Sequence, residues 1–411
     1  MREPPTAAET MPATAQSIPA EEDRRRQLRD VAWWLGLLAA AMSVSAAAAL
    51  SSDSPSGRLL GWWPSGASPF PTVGTVAAPA ILVAVLGFAM LPRTARWPWH
   101  SVLALSYMGS FAWTAALHTQ VDTTPPSNST AAARWGLAFI DQVSASRFGI
   151  ALILCALGSL TTPLILVAVK SLAGPLTART VAPVLILGPW AIWVSVGMDG
   201  IAVAAIAAAV ACAAKASERR VPLWTARACA ASAGALLAAA VLLSYSAAWF
   251  GLTLLCVYYQ RRRATAIWWS AAAGVAVLGT LSAFDHSWPA ELVGTYAGAW
   301  GALKEHPAHL WSLAATPALA FAAAGPAAVA SLRRMGAPTW PLMVGPLAAM
   351  VFTPLVAGAV PRAGLAWIAL TPWLVIAATA NREGRRSPVS PAPLVSTAVA
   401  AVGAILVVYA V

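Results

Sequence analysis

The chain has 411 residues, 59% of them hydrophobic and 10% charged, and carries a formal net charge of +11. Soluble domains average about 45–50% apolar and about 25% charged residues, so a soluble globular enzyme, a disordered chain and a disulfide-rich secreted domain are excluded. The positive charge is not a nucleic-acid signature, because Lys and Arg sit in short tracts between apolar runs, where they act as topology signals.

Residues 1–30 are polar and include Glu21-Glu22-Asp23-Arg24-Arg25-Arg26. They are expected to form a disordered cytosolic tail rather than a signal peptide, since the following apolar run is long and lacks a small-residue cleavage site. Apolar runs then recur at 32–50, 74–91, 101–117, 148–169, 181–197, 200–214, 228–243, 247–259, 265–284, 308–331, 341–360, 365–380 and 394–411. A helix needs about 20 apolar residues to cross the hydrocarbon core, so 31–411 reads as an all-α, polytopic transmembrane helical bundle of about 12–13 spans. The lower count arises if 228–259 is a single bent element.

With the N-terminus in the cytoplasm, only Arg58, Arg134, Arg147, Lys304 and Arg362 of the 26 basic residues fall outside, as the positive-inside rule requires of a plasma-membrane protein. Asp53, Asp122, Asp141, Asp199, Asp285, Glu291 and Glu305 then lie outside, with His118, His286, His306 and His309. Chemistry is therefore expected on the extracytoplasmic face. Cys155, Cys212, Cys229 and Cys256 lie in apolar segments without CxxC spacing. They read as small core hydrophobes rather than metal or redox groups.

Three outer loops are long. Loop 51–73 carries Trp62-Trp63, suited to an interfacial belt. Loop 118–147 contains the amphipathic stretch 133–143, expected to lie as a short helix on the membrane surface. Its Asn128-Ser129-Thr130 matches a glycosylation sequon, a pattern short enough to arise by chance. Loop 285–307 mixes Trp288, Tyr296 and Trp300 with Asp285, Glu291, Lys304 and His306. Such loops fit a lid over a lateral, lipid-facing site, whereas a transporter needs comparable access from both sides.

Candidate residues follow from chemistry and placement. Asp199 stands between two apolar runs with almost no polar company, which makes it a functional candidate; the alternative is a helix N-cap before Gly200. Asp141 reads either as a general base for an acceptor hydroxyl or as half of a solvated ion pair with Arg147. Asp53 follows the first span directly and reads as a further acid or as a polar loop start. Glu291, Lys304, Glu305 and His306 read most simply as a solvated face. Arg362, alone between two outer span ends, either binds a phosphate or snorkels to the interface. Ser244-Tyr245-Ser246 marks a hairpin between helices. No Walker A, GxSxG or HExxH motif is present, and His286 and His306 are too isolated to argue a metal site.

The stretch LTTPLILVAVKSLAGPLTARTVAPVLILGPWAIWVSVGMDG resembles actinobacterial integral membrane proteins of the GT-C glycosyltransferase type. The residues that carry the likeness are Gly174, Ala178-Arg179, Ala182-Pro183, Pro189, Ile192-Trp193 and Asp199, with later echoes at Leu243-Ser244-Tyr245, Tyr296-Ala297-Gly298, Gly325-Pro326-Ala327 and Trp367 to Pro372-Trp373. The resemblance covers roughly residues 148–380 through order and spacing. It implies transfer of a sugar from a polyprenyl-phosphate donor to an envelope glycan or lipid acceptor. A carboxylate among Asp199, Asp141 and Asp53 would serve as base. Arg362, Lys304, His306, Tyr296 and His118 would serve the donor, and a divalent metal is neither required nor excluded. The chain departs from the family pattern. Its first outer loop offers Asp53 without a paired acid, His118 is separated from Pro125-Pro126, and the late basic cluster is reduced to Pro361-Arg362. These departures support a second expectation, a non-catalytic scaffold in envelope assembly. A third, a lipid or sugar transporter, lacks the inverted repeat that would favour it.

Overall fold

The computed structural model describes residues 71–90, 97–117, 130–144, 146–188, 190–191, 198–283, 288–294 and 339–357, with 25, 28–37, 39–40, 43, 297, 372–373, 376, 398 and 401–402. Every regular element among them is helical, and no strand occurs there. In chain order the α-helices are α1 (Pro71–Met90), α2 (Trp99–Ala116), α3 (Ala131–Val143), α4 (Arg147–Ser159), α5 (Thr161–Ala173), α6 (Pro175–Ile186), α7 (Asp199–Ala216), α8 (Leu223–Leu243), α9 (Phe250–Gln260), α10 (Ala264–Ala283) and α11 (Pro341–Ala357). Among the described residues four segments are long and apolar enough to cross a membrane: Phe148–Ala173, Asp199–Ala216, Leu223–Leu243 and Ala264–Ala283. They coincide with the runs expected at 148–169, 200–214, 228–243 and 265–284. The run at 308–331, and most of 32–50, 365–380 and 394–411, lie outside the described residues.

Local chemistry explains the breaks. The segment Phe148–Ala173 is interrupted for one residue at Leu160, where Pro163 has no N–H to give the Ser159 carbonyl. Gly174 ends α5 at φ +93°, a backbone region open to glycine, and Pro175 starts α6 at the position where a missing N–H costs nothing. The helix there begins earlier than the run expected at 181–197. The alternative of one bent element over 228–259 does not hold. Ser244 turns extended (φ −151°, ψ 115°), a 3₁₀ turn spans Tyr245–Trp249, and α9 runs back toward the start of α8, packed mainly on α11 and α7. Tyr258 near the end of α9 thereby meets Ser270 of α10, its hydroxyl 2.7 Å from the Ser270 hydroxyl, which itself donates to the Ala230 carbonyl early in α8 (2.6 Å).

The core is built on α7, whose alanine-rich surface packs against α5 on one side and α8 on the other. Alanine permits close helix approach where lipid gives no hydrophobic contrast. On the far side of α8, α10 comes closer still: a Cβ on Gly234 would overlap the Ser270 backbone carbonyl. α2 is tied to the end of α6 by the fully buried Trp113, whose indole donates to the Gly188 carbonyl (3.2 Å).

Polar contacts sort the loops to two ends of the bundle. At one end Lys170 sits over the Trp99 ring, Arg179 donates to the Trp97 carbonyl, and Arg261 donates to the Ser171 and Leu172 carbonyls that close α5. This is the basic end. At the other end the start of α3 meets the end of α8 and Met198 just before α7. This is the Asp199 end.

Candidate functional site

At the Asp199 end the stretch expected to be helical at 133–143 forms α3, the most amphipathic of the described helices. Thr130 starts it. Its hydroxyl oxygen accepts from the Ala133 N–H (3.1 Å) and donates to the Leu243 carbonyl at the end of α8 (3.3 Å). One side chain therefore satisfies a free donor of one helix and a free acceptor of another. Ala133 and Ile140 are buried and pack with Leu137 against Ile150, Leu154 and Met198. Gly136 lets α3 settle on Met198: a Cβ there would overlap the Met198 methyl. The other side of α3 exposes Trp135, Phe139 and Val143, spaced one helical turn apart.

Glu291 joins this arrangement from a helical stretch at 288–294. Its Oε1 accepts from the Ala131 N–H (2.6 Å) and lies 3.8 Å from the Arg134 guanidinium, while Oε2 accepts from the Tyr245 hydroxyl (3.0 Å). A carboxylate at a helix N-terminus interacts favourably with the helix dipole. The simple reading of Glu291 as part of a solvated face is therefore corrected: both of its oxygens are engaged in joining three parts of the fold. Next to Tyr245, the Ser244 and Ser246 hydroxyls lie 2.9 Å apart.

Asp199 is the first residue of α7, part-buried, and Met198 rather than Asp199 occupies the N-cap position. No donor reaches its carboxylate among the described residues, so the N-cap alternative finds no hydrogen bond to support it. Asp141 is exposed, further along α3 from the point where that helix crosses Met198. The structure thus brings Asp199 and Asp141 to one end of the bundle, around one surface helix. Asp53, His118, Tyr296, Lys304, His306 and Arg362 lie outside the described residues. Sequence reasoning passed over Glu291, Arg134 and Tyr245 as a set. The one available signal was the Ser-Tyr-Ser interruption of an apolar run.

Among the described residues no three His, Cys, Asp or Glu side chains are placed to hold a metal ion. Cys155 is buried, the other three cysteines are part-buried, and all four are free thiols. Comparison with family models, with curated proteins and with solved structures finds no match to this chain.

Proposed function

We propose that this protein is a multi-pass plasma-membrane glycosyltransferase of the GT-C type, with its N-terminus in the cytoplasm and its site at the extracytoplasmic Asp199 end. The observation that carries the proposal is the placing of polar groups along α3: Glu291, Arg134 and Tyr245 meet at its start, its middle rests on Met198 next to Asp199, Asp141 stands near its end, and its outward stripe Trp135, Phe139 and Val143 is apolar. Polar groups spread along an amphipathic helix suit a donor whose sugar phosphate sits at the headgroup level while its polyprenyl chain stays in lipid. In the proposed step an acceptor hydroxyl attacks the anomeric carbon, the bond from that carbon to the phosphate oxygen breaks, and polyprenyl phosphate leaves. Asp199 or Asp141 takes the hydroxyl proton. Arginine stabilises the departing phosphate by charge-assisted hydrogen bonds. Asp53, His118, Tyr296, Lys304, His306 and Arg362 complete the proposed donor and acceptor surfaces.

One observation favours the non-catalytic scaffold as a second reading: Glu291, the best-connected carboxylate at this end, has both oxygens taken by structural bonds. Envelope lipids and glycans of a deletion strain, complemented with wild type, Asp199→Asn or Asp141→Asn at matched membrane levels, separate the two. Loss of one glycan, restored by wild type and not by Asp199→Asn or not by Asp141→Asn, is the outcome expected of the transferase. Restoration of that glycan by both variants points to the scaffold. An unchanged glycan profile on deletion overturns the transferase reading.

A further inference from the structure

The basic end carries a charge pattern for which the proposed reaction has no use. Between Asp199 and Asp285 the sequence holds one acid, Glu218, against Lys215, Arg219, Arg220, Arg227, Arg261, Arg262 and Arg263. The turn joining α7 to α8 is fixed from several directions. Glu218 Oε2 accepts from the Lys215 ammonium (2.7 Å), Oε1 accepts from the Ser171 hydroxyl (2.7 Å), and the Glu218 backbone carbonyl accepts from the Arg263 guanidinium (3.1 Å). The one carboxylate of this turn is therefore occupied in holding it. Arg219 and Arg220, which follow it, are exposed and have no carboxylate partner among the described residues. They project from a turn whose backbone is already ordered.

Beside that turn lie exposed indoles. Arg227 stands over the Trp269 ring of α10, 5.8 Å from its centroid. Trp224 precedes Arg227 by three residues, hence on the same helix face, and is 76% exposed; Trp269 is 43% exposed. Both rings stand at the same ends of α8 and α10, which are the least enclosed of the four long apolar helices. Guanidinium groups grip a phosphate bidentately, indoles rest at the headgroup level, and bare apolar helix below accepts acyl chains.

We propose that Arg219, Arg220 and Arg227, with Trp224 and Trp269, form a binding site for an anionic phospholipid in the leaflet at the basic end. Charge complementarity selects this occupant: the site presents guanidinium groups with no free acid beside them among the described residues, and its aromatic flank continues directly into apolar helix surface. A soluble acidic peptide would leave those indoles and the acyl-facing surface without use.

The test uses the full chain purified in detergent, with phosphatidylglycerol and phosphatidylcholine offered at equal concentration and bound lipid read by native mass spectrometry. Wild type is expected to retain phosphatidylglycerol preferentially. Each basic residue near an anionic lipid surface contributes about fivefold, so Arg219→Gln/Arg220→Gln/Arg227→Gln is expected to weaken retention by roughly 100-fold. The single variants Arg227→Gln and Arg262→Gln remove the same charge at the same end, so a built site loses lipid with the first and keeps it with the second. Equal retention of the two lipids by wild type overturns the proposal, as does equal loss from the two single variants. Circular dichroism of each variant guards against loss of fold. If the triple variant does not fold, the comparison of the single variants decides alone.

Discussion

Thr130 and Glu291 secure the start of α3 by independent bonds, so their loss is expected to be graded. Thr130→Ala removes an N-cap and a bond to the Leu243 carbonyl, and should cost about 1 kcal/mol or somewhat more. Glu291→Ala also strips the Tyr245 hydroxyl and the Ala131 N–H of their acceptor, whereas Glu291→Gln keeps one carbonyl oxygen and should fall between Glu291→Ala and wild type. Thermal unfolding in detergent ranks the three; equal midpoints for Glu291→Ala and wild type would show that the contact contributes nothing. Glu218 gives a pH-dependent counterpart at the opposite end. Burial pushes its carboxyl up, but hydrogen bonds from Lys215 and Ser171, with the charges of Lys215 and Arg261, outweigh that and hold it below the ordinary carboxylate value. A carboxyl lowered in the folded state adds stability above its unfolded value and loses it as the pH falls through the lower folded value. Wild type should therefore unfold at a higher temperature than Glu218→Gln near neutrality, and the gap should close on acidification; a gap that widens contradicts the assignment. Asp199 and Asp141 stand out in the sequence as candidates because each is a conspicuous acid in apolar or amphipathic surroundings, and the structure places them at one end of the bundle. Glu291 was not, because its partners stand 46 and 160 residues away and only the folded chain joins them.

Between helices, the contact most sensitive to added volume is that of α8 with α10. A Cβ on Gly234 would overlap the Ser270 carbonyl, whereas one on Gly274 would meet the Gly234 carbonyl oxygen at 3.4 Å, a tight contact that small shifts relieve. Overpacking a close interface costs about 1–3 kcal/mol, so Gly234→Ala should destabilise markedly and Gly274→Ala much less. Thermal midpoints of the purified variants check the order, and an equal effect at both positions refutes the close approach. Ser270 adds specificity, since its hydroxyl contacts both the Ala230 carbonyl and the Tyr258 hydroxyl. Hydropathy gives the existence and length of these helices, because a long apolar run is a property of one segment. It does not give their pairing, because Gly234 and Ser270 look like any small residues until two backbones are laid together. The interruption at Leu160 lies between these cases: Pro163 is visible in the sequence, but so is Pro183, which sits inside α6. The reversal at Ser244 was legible only as one of two options, since 228–259 also has the composition of one long helix.

Charge divides the described bundle lengthwise. Lys170, Arg179, Lys215 and Arg261 cluster with Glu218 at one end, while Asp199, Asp141 and Glu291 gather with Arg134 at the other. Short basic loops resist translocation across a bilayer, so their alternation in the sequence is a signal of sidedness. It could not say what those loops build, because topology signals depend on charge count and not on geometry. If the bundle spans a membrane along this division, Asp141 and Arg220 face opposite compartments. In a chain whose four cysteines are replaced, Asp141→Cys and Arg220→Cys should react with a membrane-impermeant maleimide from opposite sides of sealed vesicles. Right-side-out vesicles should label Asp141→Cys only, and inverted vesicles Arg220→Cys only, if the basic end is cytoplasmic. The reverse pattern would keep the bundle and invert its orientation, moving the proposed transfer site to the cytoplasmic face and removing the reason to expect an extracytoplasmic acceptor. Labelling of both positions from one side would break the lengthwise division itself, and with it the assignment of α7 and α8 as adjacent spans.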